Sequence, residues 1–285
     1  MKIGMVLEGG GMRGLYTTAV LDVLMEQELW ADSVLSVSAG ATFGCNYKSK
    51  QIGRALRYNL KYCKDPRYNS LRSLIKTGDL FGAEFCYKTI PNELDIFDTT
   101  TYQNNPMDFA VTCTDVQTGK PVYHLCNKGD EEDIRWIRAS ASLPIVARVV
   151  EIDGRGYLDG GLSDSIPLRA MQNKGFPHNM VILTQPLGYR KSKTSMLPLL
   201  KLLMRRYPAI IRCAEERHLM YNEELDYIAQ CEKEGHTYVL RPSIDLHIKR
   251  AENDPERLQA MYDLGRKDAL AHLAEIKDFF AEVQK

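Results

Sequence analysis

Two short apolar runs near the N-terminus each give way abruptly to small residues. Residues 2–7 and 33–37 carry almost no charge, as expected of strands that are buried on both faces. A glycine-rich loop at 9–14 follows the first run, and apolar residues then recur at near-helical spacing from Leu15 to Met25. The pattern predicts a strand, a glycine turn, a helix and a second strand, as in an α/β domain.

The middle of the chain combines predicted hairpins with predicted helices. Helical spacing predicts one or two helices within 41–60 and another around 85–94. Turn residues separate two pairs of strand-like runs, which predicts hairpins at 108–125 and 149–158. The acidic run 130–133 predicts the start of a helix between them, because negative charge is favourable at a helix N-terminus.

The last third of the chain is predicted to be largely helical. Two more sheet strands are expected at 180–184 and 237–240, with a helical insert at about 190–234 between them. Apolar positions at helical spacing predict a closing helix at about 255–283. No internal repeat or low-complexity linker divides the sequence, so we expect one domain over residues 1–285.

Composition excludes several classes of protein. The 37 basic and 37 acidic residues give a formal net charge of zero, so we expect no nucleic-acid partner. The seven cysteines are scattered, as is typical of reduced thiols, and the six histidines lack metal-ligand spacing, so we expect no metal. No apolar run is long enough for a signal peptide or a bilayer span, which predicts a cytoplasmic location.

Ser38 stands where a predicted strand turns sharply into a helix. A serine at such an elbow is held out at the carboxyl edge of a sheet, and small neighbours let the strand and helix backbones approach each other. Ala39 and Gly40 meet that need, whereas Ser36 occupies the first position of a motif that usually reads Gly-x-Ser-x-Gly. Ser38 is therefore a candidate nucleophile.

The glycine loop supports two hypotheses. Gly9, Gly11 and Gly14 fit the Gly-x-Gly-x-x-Gly pattern of dinucleotide-binding folds, whose second strand ends in an acidic residue that holds the ribose. Here the second strand leads into Ser38 instead, and Asp32 precedes that strand. The other hypothesis is an acyl-transfer site, in which one turn supplies the serine and the other supplies backbone N–H groups for an oxyanion.

Asp159 is the candidate base. The predicted hairpin at 149–158 delivers it, followed by Gly160 and Gly161, at its far end. A serine hydroxyl is a weak nucleophile at neutral pH and needs an adjacent base, and a carboxylate on a glycine turn can approach it closely.

Three segments in this order resemble the signatures of the patatin-like phospholipases. They are Gly9-Gly10-Gly11-Met12-Arg13-Gly14, Ser36-Val37-Ser38-Ala39-Gly40 and Asp159-Gly160-Gly161, and the likeness covers roughly residues 2–168. The resemblance implies a three-layer α/β/α fold with a mostly parallel central sheet. It also implies a serine lipid acyl hydrolase that uses a Ser–Asp dyad and no cofactor.

The resemblance assigns a role to each residue of these segments. Ser38 is the nucleophile and Asp159 the base. The backbone of Gly10, Gly11 and Met12 forms the oxyanion hole, and Arg13 holds that loop. The remaining small residues support the turns: Gly9, Gly14, Ser36, Ala39, Gly40, Gly160 and Gly161. The expected substrate is a phospholipid or another lipid ester.

Three alternatives stay open. Basic and apolar residues interleave over 190–212, which suits either a helix that lies on a membrane or one that packs on the core. The same fold could serve as a non-catalytic lipid-binding module. A triad would need a histidine after the acid, and none of the candidates has a distinctive setting: His178, His218, His236, His247 and His272.

Overall fold

The computed structural model describes residues 2–284, which form an α/β fold around one eight-stranded sheet. The strands are β1 (Ile3–Leu7), β2 (Ser33–Val37), β3 (Asp108–Asp115), β4 (Pro121–Leu125), β5 (Val150–Ile152), β6 (Arg155–Asp159), β7 (His178–Ile182) and β8 (Thr237–Leu240). Their order is β5-β6-β3-β2-β1-β7-β8, and β4 also pairs with β3. The five strands from β3 to β8 along this path are parallel, while β4, β5 and β6 pair antiparallel, so the predicted mostly parallel sheet is confirmed.

Helices cover both faces of the sheet. They are α1 (Leu15–Glu26), α2 (Ala39–Lys48), α3 (Arg54–Tyr62), α4 (Leu71–Thr77), α5 (Thr99–Asn104), α6 (Glu131–Ser140), α7 (Leu168–Asn173), α8 (Leu197–Leu203), α9 (Pro208–Lys233), α10 (Pro255–Ala271) and α11 (Leu273–Gln284). Two 3₁₀ turns, Gly11–Gly14 and Gly160–Leu162, and a π-helical segment, Phe85–Leu94, complete the elements of the described chain.

Alternate residues of β1 divide the core into two layers. Ile3, Met5 and Leu7 pack with α1, α2, α10 and α11 on one face, whereas Val6 packs with α7 and α9 on the other. Helix α1 is buried from Leu15 to Met25, because the sheet lies on one side of it and α10 on the other. Its all-round apolar sequence follows from this position.

The central strand β1 marks the point where the connections change sides. Its neighbours are β2 and β7, and the chain leaves β1 toward α1 on one face but reaches β7 from α7 on the other. In open α/β sheets, ligands bind in the crevice outside the carboxyl ends of the strands at such a point. The glycine loop after β1 lies in that crevice.

Two predicted helices differ from those observed, and short helices were not predicted. The closing helix is two helices, α10 and α11, separated at His272. Residues 190–196 are not helical and α8 ends at Leu203, so one continuous interfacial helix over 190–212 is wrong; Pro208 begins a separate helix, α9. Helix α4 was missed, because only seven residues give too short a pattern to detect.

No helix in the described range 2–284 combines the length and the hydropathy needed to cross a bilayer.

Candidate active site

Four chain segments meet at the carboxyl edge of the parallel strands. The glycine loop follows β1, Ser38 follows β2, Thr184 follows β7, and Asp159 ends the antiparallel strand β6. Val37 pairs with Thr112 of β3, and Asp159 pairs with the next residue of β3, Cys113. The register of β3 therefore brings Ser38 and Asp159 to the same level of the sheet, as the sequence predicts.

Ser38 occupies a strained elbow. Its φ of 54° and ψ of −118° are unfavourable for a residue with a side chain. Its N–H donates to Ser140 Oγ (3.0 Å), and the Ser140 hydroxyl donates to the Thr112 carbonyl (2.7 Å). These two hydrogen bonds hold the elbow in place. The sequence motif does not reveal Ser140, which lies more than a hundred residues downstream at the end of α6.

The serine at position 36 fits the elbow without displacing it. Ser36 is fully buried, and its hydroxyl donates a hydrogen bond to the Ala110 carbonyl oxygen on β3 (2.9 Å). The extra atoms that distinguish Ser36 from glycine therefore have both space and a partner.

Asp159 is a buried carboxylate with one free oxygen. Its N–H donates to the Ser142 carbonyl (2.9 Å), and its Oδ1 accepts from the Gly161 N–H (2.8 Å). Its Oδ2 accepts no hydrogen bond from any residue between 2 and 284. Burial raises the pKa of Asp159, and this rise is opposed by Arg217 and by the nearby Ser38 hydroxyl. The Ser38 hydroxyl thus lies close to the carboxylate without meeting the full geometry of a hydrogen bond, and such contacts often improve when substrate binds.

The glycine loop packs against the serine and presents unused donors. A methyl group on Gly9 would lie 2.7 Å from the Ser38 Cβ, so only glycine permits this approach. Gly10 is extended and Gly11 has a φ of 58°, and the N–H groups of both find no acceptor in the described chain. The Ala39 N–H at the start of α2 is also unused.

Met12 is not available as the third oxyanion donor, which corrects the prediction. Its N–H donates to the carbonyl oxygen of Arg250 (3.0 Å), a residue in the segment between β8 and α10. The loop therefore offers two free donors, Gly10 and Gly11, and the helix offers Ala39.

The hydrogen bonds that hold the start of the glycine loop involve Glu8 and not the Arg13 side chain. Glu8 Oε2 accepts from the Thr184 N–H (2.6 Å), and Oε1 accepts from the Tyr221 hydroxyl (2.6 Å). The Thr184 hydroxyl lies 3.0 Å from both Glu8 Oε2 and the Gly9 carbonyl oxygen. Arg13 makes no side-chain hydrogen bond to the loop among the residues described, and its Nε has no partner. No hydrogen bond therefore supports the predicted holding role of the Arg13 side chain, although its charge is attracted to that of Glu8.

The other predicted small residues lie where the turns require them. Gly40 packs on the end of β1, because a methyl group there would lie 2.6 Å from the Leu7 carbonyl oxygen. A methyl group on Gly160 would lie 2.1 Å from the Thr112 carbonyl oxygen. Gly14 contacts Ala39 and Phe43 of α2, and Gly161 lies beside the Arg217 guanidinium.

A large cavity opens beside Ser38. Its volume is about 650 Å³, within the usual range for a small-molecule site. Apolar and aromatic side chains form much of its wall, including Met12, Phe43, Tyr58, Ile90, Phe97, Ile137 and Leu200. Most of these residues belong to α6 or to the region 41–98, in which the sequence pattern predicts only some of the observed elements.

Cations from the last third of the chain line the same cavity. Lys191, Arg217 and Arg250 all border it, and they also border a smaller space shared with Ser38 and Asp159. Burial and the neighbouring arginines lower the pKa of Lys191 to about 7. No sequence motif marks these residues, because they come from separate elements and only the fold brings them together.

Two histidine observations bear on the catalytic hypotheses. His218 lines the cavity, and its buried Nδ1 has no hydrogen-bond partner. No histidine is hydrogen-bonded to Asp159 in the part of the chain that the structure describes.

One group of side chains has the composition of a possible metal site. Its possible ligand atoms, on His124, Cys126 and Asp133, lie within 4.8 Å of one another. However, Asp133 Oδ2 already accepts two backbone N–H bonds at 2.7 Å.

Comparison with family models gives two matches along the chain. The model described as "Patatin-like phospholipase" matches residues 5–171. A second, described as a domain of unknown function (DUF6363), matches residues 207–281. The cations Arg217 and Arg250 therefore lie in the second match, and Ser38 and Asp159 in the first.

Comparison with curated proteins gives distant relatives. The uncharacterized protein YjjU of Escherichia coli (strain K12) is 29% identical over 65% of this chain and 52% of its own length. The uncharacterized NTE family protein Rv1063c of Mycobacterium tuberculosis (strain H37Rv) is 25% identical over 59% and 44%, respectively. Lysophospholipase nte1 of Aspergillus oryzae is 24% identical over 61% of this chain and 11% of its own. The chain thus spans about half the length of the first two.

Among solved structures, the crystal structure of VipD from Legionella pneumophila matches with a TM-score of 0.47 and 10% identity. The match covers 96% of this chain and 67% of that chain.

Proposed function

This chain belongs to the patatin-like phospholipase family, and from that premise we propose that it hydrolyses carboxylic esters of lipids through a dyad of Ser38 and Asp159. The observation that carries the proposal is the buried Asp159 Oδ2, which has no hydrogen-bond partner in residues 2–284 and lies near the Ser38 hydroxyl. A buried acceptor without a donor lowers the stability of the fold. The position of this free oxygen beside a serine hydroxyl is the one that a proton acceptor needs.

The reaction follows from the positions of the donors and acceptors. Ser38 Oγ forms a bond to the acyl carbon while Asp159 takes the hydroxyl proton, and the N–H groups of Gly10, Gly11 and Ala39 stabilise the resulting oxyanion. The C–O bond to the alcohol then breaks, and the alcohol leaves with the proton from Asp159. Water attacks the acyl-enzyme in the same way and releases the fatty acid.

The raised pKa of Asp159 suits this role. A carboxylate with an ordinary pKa is a weak base, whereas burial makes Asp159 a stronger one. Arg217 opposes the effect of burial, so the carboxylate can still be charged when substrate arrives.

The cavity supports a lipid as the acyl donor. A wall of apolar and aromatic side chains can hold a fatty acyl chain by the hydrophobic effect, with its carbonyl end at Ser38. Leu200 of helix α8 and Met196 just before the helix line this cavity, while the Leu202 and Leu203 side chains of α8 are more than half exposed (64% and 53%). We propose that the exposed face of α8, with Arg205 and Arg206 after it, contacts the surface of a membrane from which the substrate is taken.

The dyad is tested by labelling and by three variants. A fluorophosphonate should label Ser38, and Ser38→Ala and Asp159→Asn should each lower kcat for a soluble ester by roughly four orders of magnitude or more. The double variant should be no worse than either single variant, because residues that act as a unit are not additive. His218→Ala, the cavity histidine, should retain most of the activity.

Two results would contradict the proposal. Loss of activity in a folded His218→Ala variant, with Asp159→Asn only partly impaired, would indicate a triad. A folded wild-type protein that binds lipid but is neither labelled at Ser38 nor active would indicate a non-catalytic lipid-binding module.

A further inference from the structure

Three basic side chains beside the proposed reacting groups form no ion pair among the described residues. Lys191, Arg217 and Arg250 have no carboxylate oxygen within 4.0 Å anywhere in residues 2–284, although all three line the cavity with Ser38. By contrast, Arg54 and Arg138 line the same cavity and are paired, with Asp95 and Asp79. Lys193 also lines the cavity and is in no ion pair among the described residues, but it does not border the smaller space, so Lys191, Arg217 and Arg250 are distinguished by their place beside Ser38.

The local charge is unbalanced. The smaller space beside Ser38 is bordered by four basic side chains, Arg13 and the three above, but by only two carboxylates, Glu8 and Asp159. Glu8 is already engaged by Thr184 and Tyr221. Arg250 is exposed, whereas Lys191 and Arg217 are half-buried, and placing positive charges together there is unfavourable and lowers the pKa of Lys191. The excess of basic groups therefore points to an anion that arrives with the ligand.

The cations are held in position by the backbone and by aromatic rings. The Lys191 N–H donates to Asn222 Oδ1 (2.8 Å), and its ammonium lies 4.1 Å from the centre of the Tyr221 ring. A methyl group on Gly161 would lie 2.7 Å from Arg217 Nη2, so this guanidinium sits directly beside the turn that carries Asp159. The Arg250 carbonyl oxygen accepts from the Met12 N–H in the glycine loop.

We propose that Lys191, Arg217 and Arg250 bind the phosphate of a lipid headgroup while the acyl chain fills the apolar part of the cavity. Arginine guanidinium groups match phosphate oxygens in geometry and charge. A phosphate placed among the three basic side chains would accept hydrogen bonds from them and balance their positive charge. This inference rests on the proposed function, and it gives the segment 207–281 a part in choosing the substrate.

Binding without turnover tests the inference directly. In the Ser38→Ala background, decyl phosphate should bind more tightly than decanol by about tenfold or more, as measured by calorimetry. Adding Arg217→Gln or Arg250→Gln should remove most of that difference, and the affinity for decanol should change less. Arg250→Gln retains the backbone carbonyl that anchors Met12, so the loop is not disturbed by the change itself.

Two matched controls remove a neighbouring cation that lies outside the cavity lining. Arg212→Gln on α9 and Lys249→Gln beside Arg250 alter exposed side chains and should leave the preference for decyl phosphate intact. Equal binding of decyl phosphate and decanol by the Ser38→Ala protein would overturn the inference. Inorganic phosphate that binds as tightly as decyl phosphate would overturn the assignment to a lipid headgroup, because it would indicate a site for free phosphate.

Turnover separates this inference from the dyad itself. In the wild-type background, Arg217→Gln and Arg250→Gln should lower kcat/KM for a lysophospholipid with a terminal phosphate by about tenfold more than for a monoacylglycerol of the same chain length. Equal losses of kcat/KM on both substrates would indicate that these side chains stabilise the oxyanion, and this result would overturn headgroup binding. If the wild type is inactive on both, the dyad fails, while the calorimetric result still decides the phosphate site.

Discussion

The segments matched by the two family models reach the same candidate site by different means. Residues 5–171 contribute Ser38, Asp159 and the glycine loop, each on a tight turn at the end of a strand. Residues 207–281 contribute Arg217 and Tyr221 from the middle of a long helix and Arg250 from an irregular connection. The proposed reacting groups are thus placed by backbone turns, and the surrounding charges by side chains on elements that pack against those turns.

This difference determines what a sequence can reveal. A turn that must admit a close backbone approach demands glycine or another small residue, so it leaves a local signature such as Gly9–Gly14 or Gly160-Gly161. An arginine on a helix obeys no such local demand, because only the packing of α9 against the Asp159 turn decides that it reaches the site. The local motifs therefore predict Ser38 and Asp159 as site residues, whereas no motif predicts Arg217.

A substitution in the glycine loop has the largest expected effect among the tests of this contrast. A methyl group on Gly11 would lie 2.3 Å from the Arg250 carbonyl oxygen at a φ of 58°, so Gly11→Ala must displace either the loop or the connection that it contacts. We expect kcat for a soluble ester to fall by about a hundredfold or more, because the free N–H groups lose their direction. Stopped assays on protein with a native circular dichroism spectrum measure this effect.

The matched control for Gly11→Ala is Gly154→Ala. Gly154 has a φ of 74°, but nothing lies within 4 Å of the position that a methyl group would take. This change should cost about 1 kcal/mol of stability, from the backbone alone, and leave kcat unaltered. Similar losses of kcat in the two variants would show that a contact with Arg250 is not what shapes the loop.

Membrane contact through α8 is the next largest effect. Arg205 and Arg206 are exposed, and neutralising both to glutamine should weaken binding to anionic vesicles by about 2 kcal/mol, or roughly thirtyfold. Lys267→Gln with Lys277→Gln removes the same charge from exposed positions on α10 and α11 and should change binding far less. Equal losses in the two pairs, measured by vesicle sedimentation, would indicate attraction by overall charge and not by the α8 face.

The helical part of the chain shows why sequence prediction was uneven. Every strand of the sheet was predicted to within a few residues, because buried strands leave unbroken apolar runs and turn residues mark the hairpins. The interruptions at His272 and before Pro208 were missed, because the apolar residues of two successive helices keep nearly the same spacing. Met12 was wrongly assigned as a donor for a related reason, since its partner Arg250 lies 238 positions away in the sequence.

A smaller effect concerns the tuning of Asp159 by the second segment. Asp159 must be charged to act as base, so activity should fall about tenfold for each pH unit below its pKa, which burial raises above that of an ordinary carboxyl. Arg217 favours the charged form, so Arg217→Gln should raise that pKa and move the acid limb of kcat to higher pH. Arg212→Gln should leave the limb where it is. If the acid limb of kcat stays at the same pH in Arg217→Gln, with a neutral ester as substrate, then Arg217 does not set the pKa of Asp159.

The smallest expected effect lies at the one motif position that departs from the usual glycine. Ser36 Oγ donates to the Ala110 carbonyl in a fully buried setting, so Ser36→Gly removes that hydrogen bond and adds flexibility to a central strand. We expect a loss of about 1 to 2 kcal/mol in the free energy of unfolding, measured with urea. The elbow itself is held by the Ser38 N–H bond to Ser140, which this change does not touch, so kcat should change by less than about threefold. A tenfold change in kcat with unaltered stability would mean that the side chain at position 36 sets the direction of the nucleophile, and that a backbone turn alone does not place Ser38.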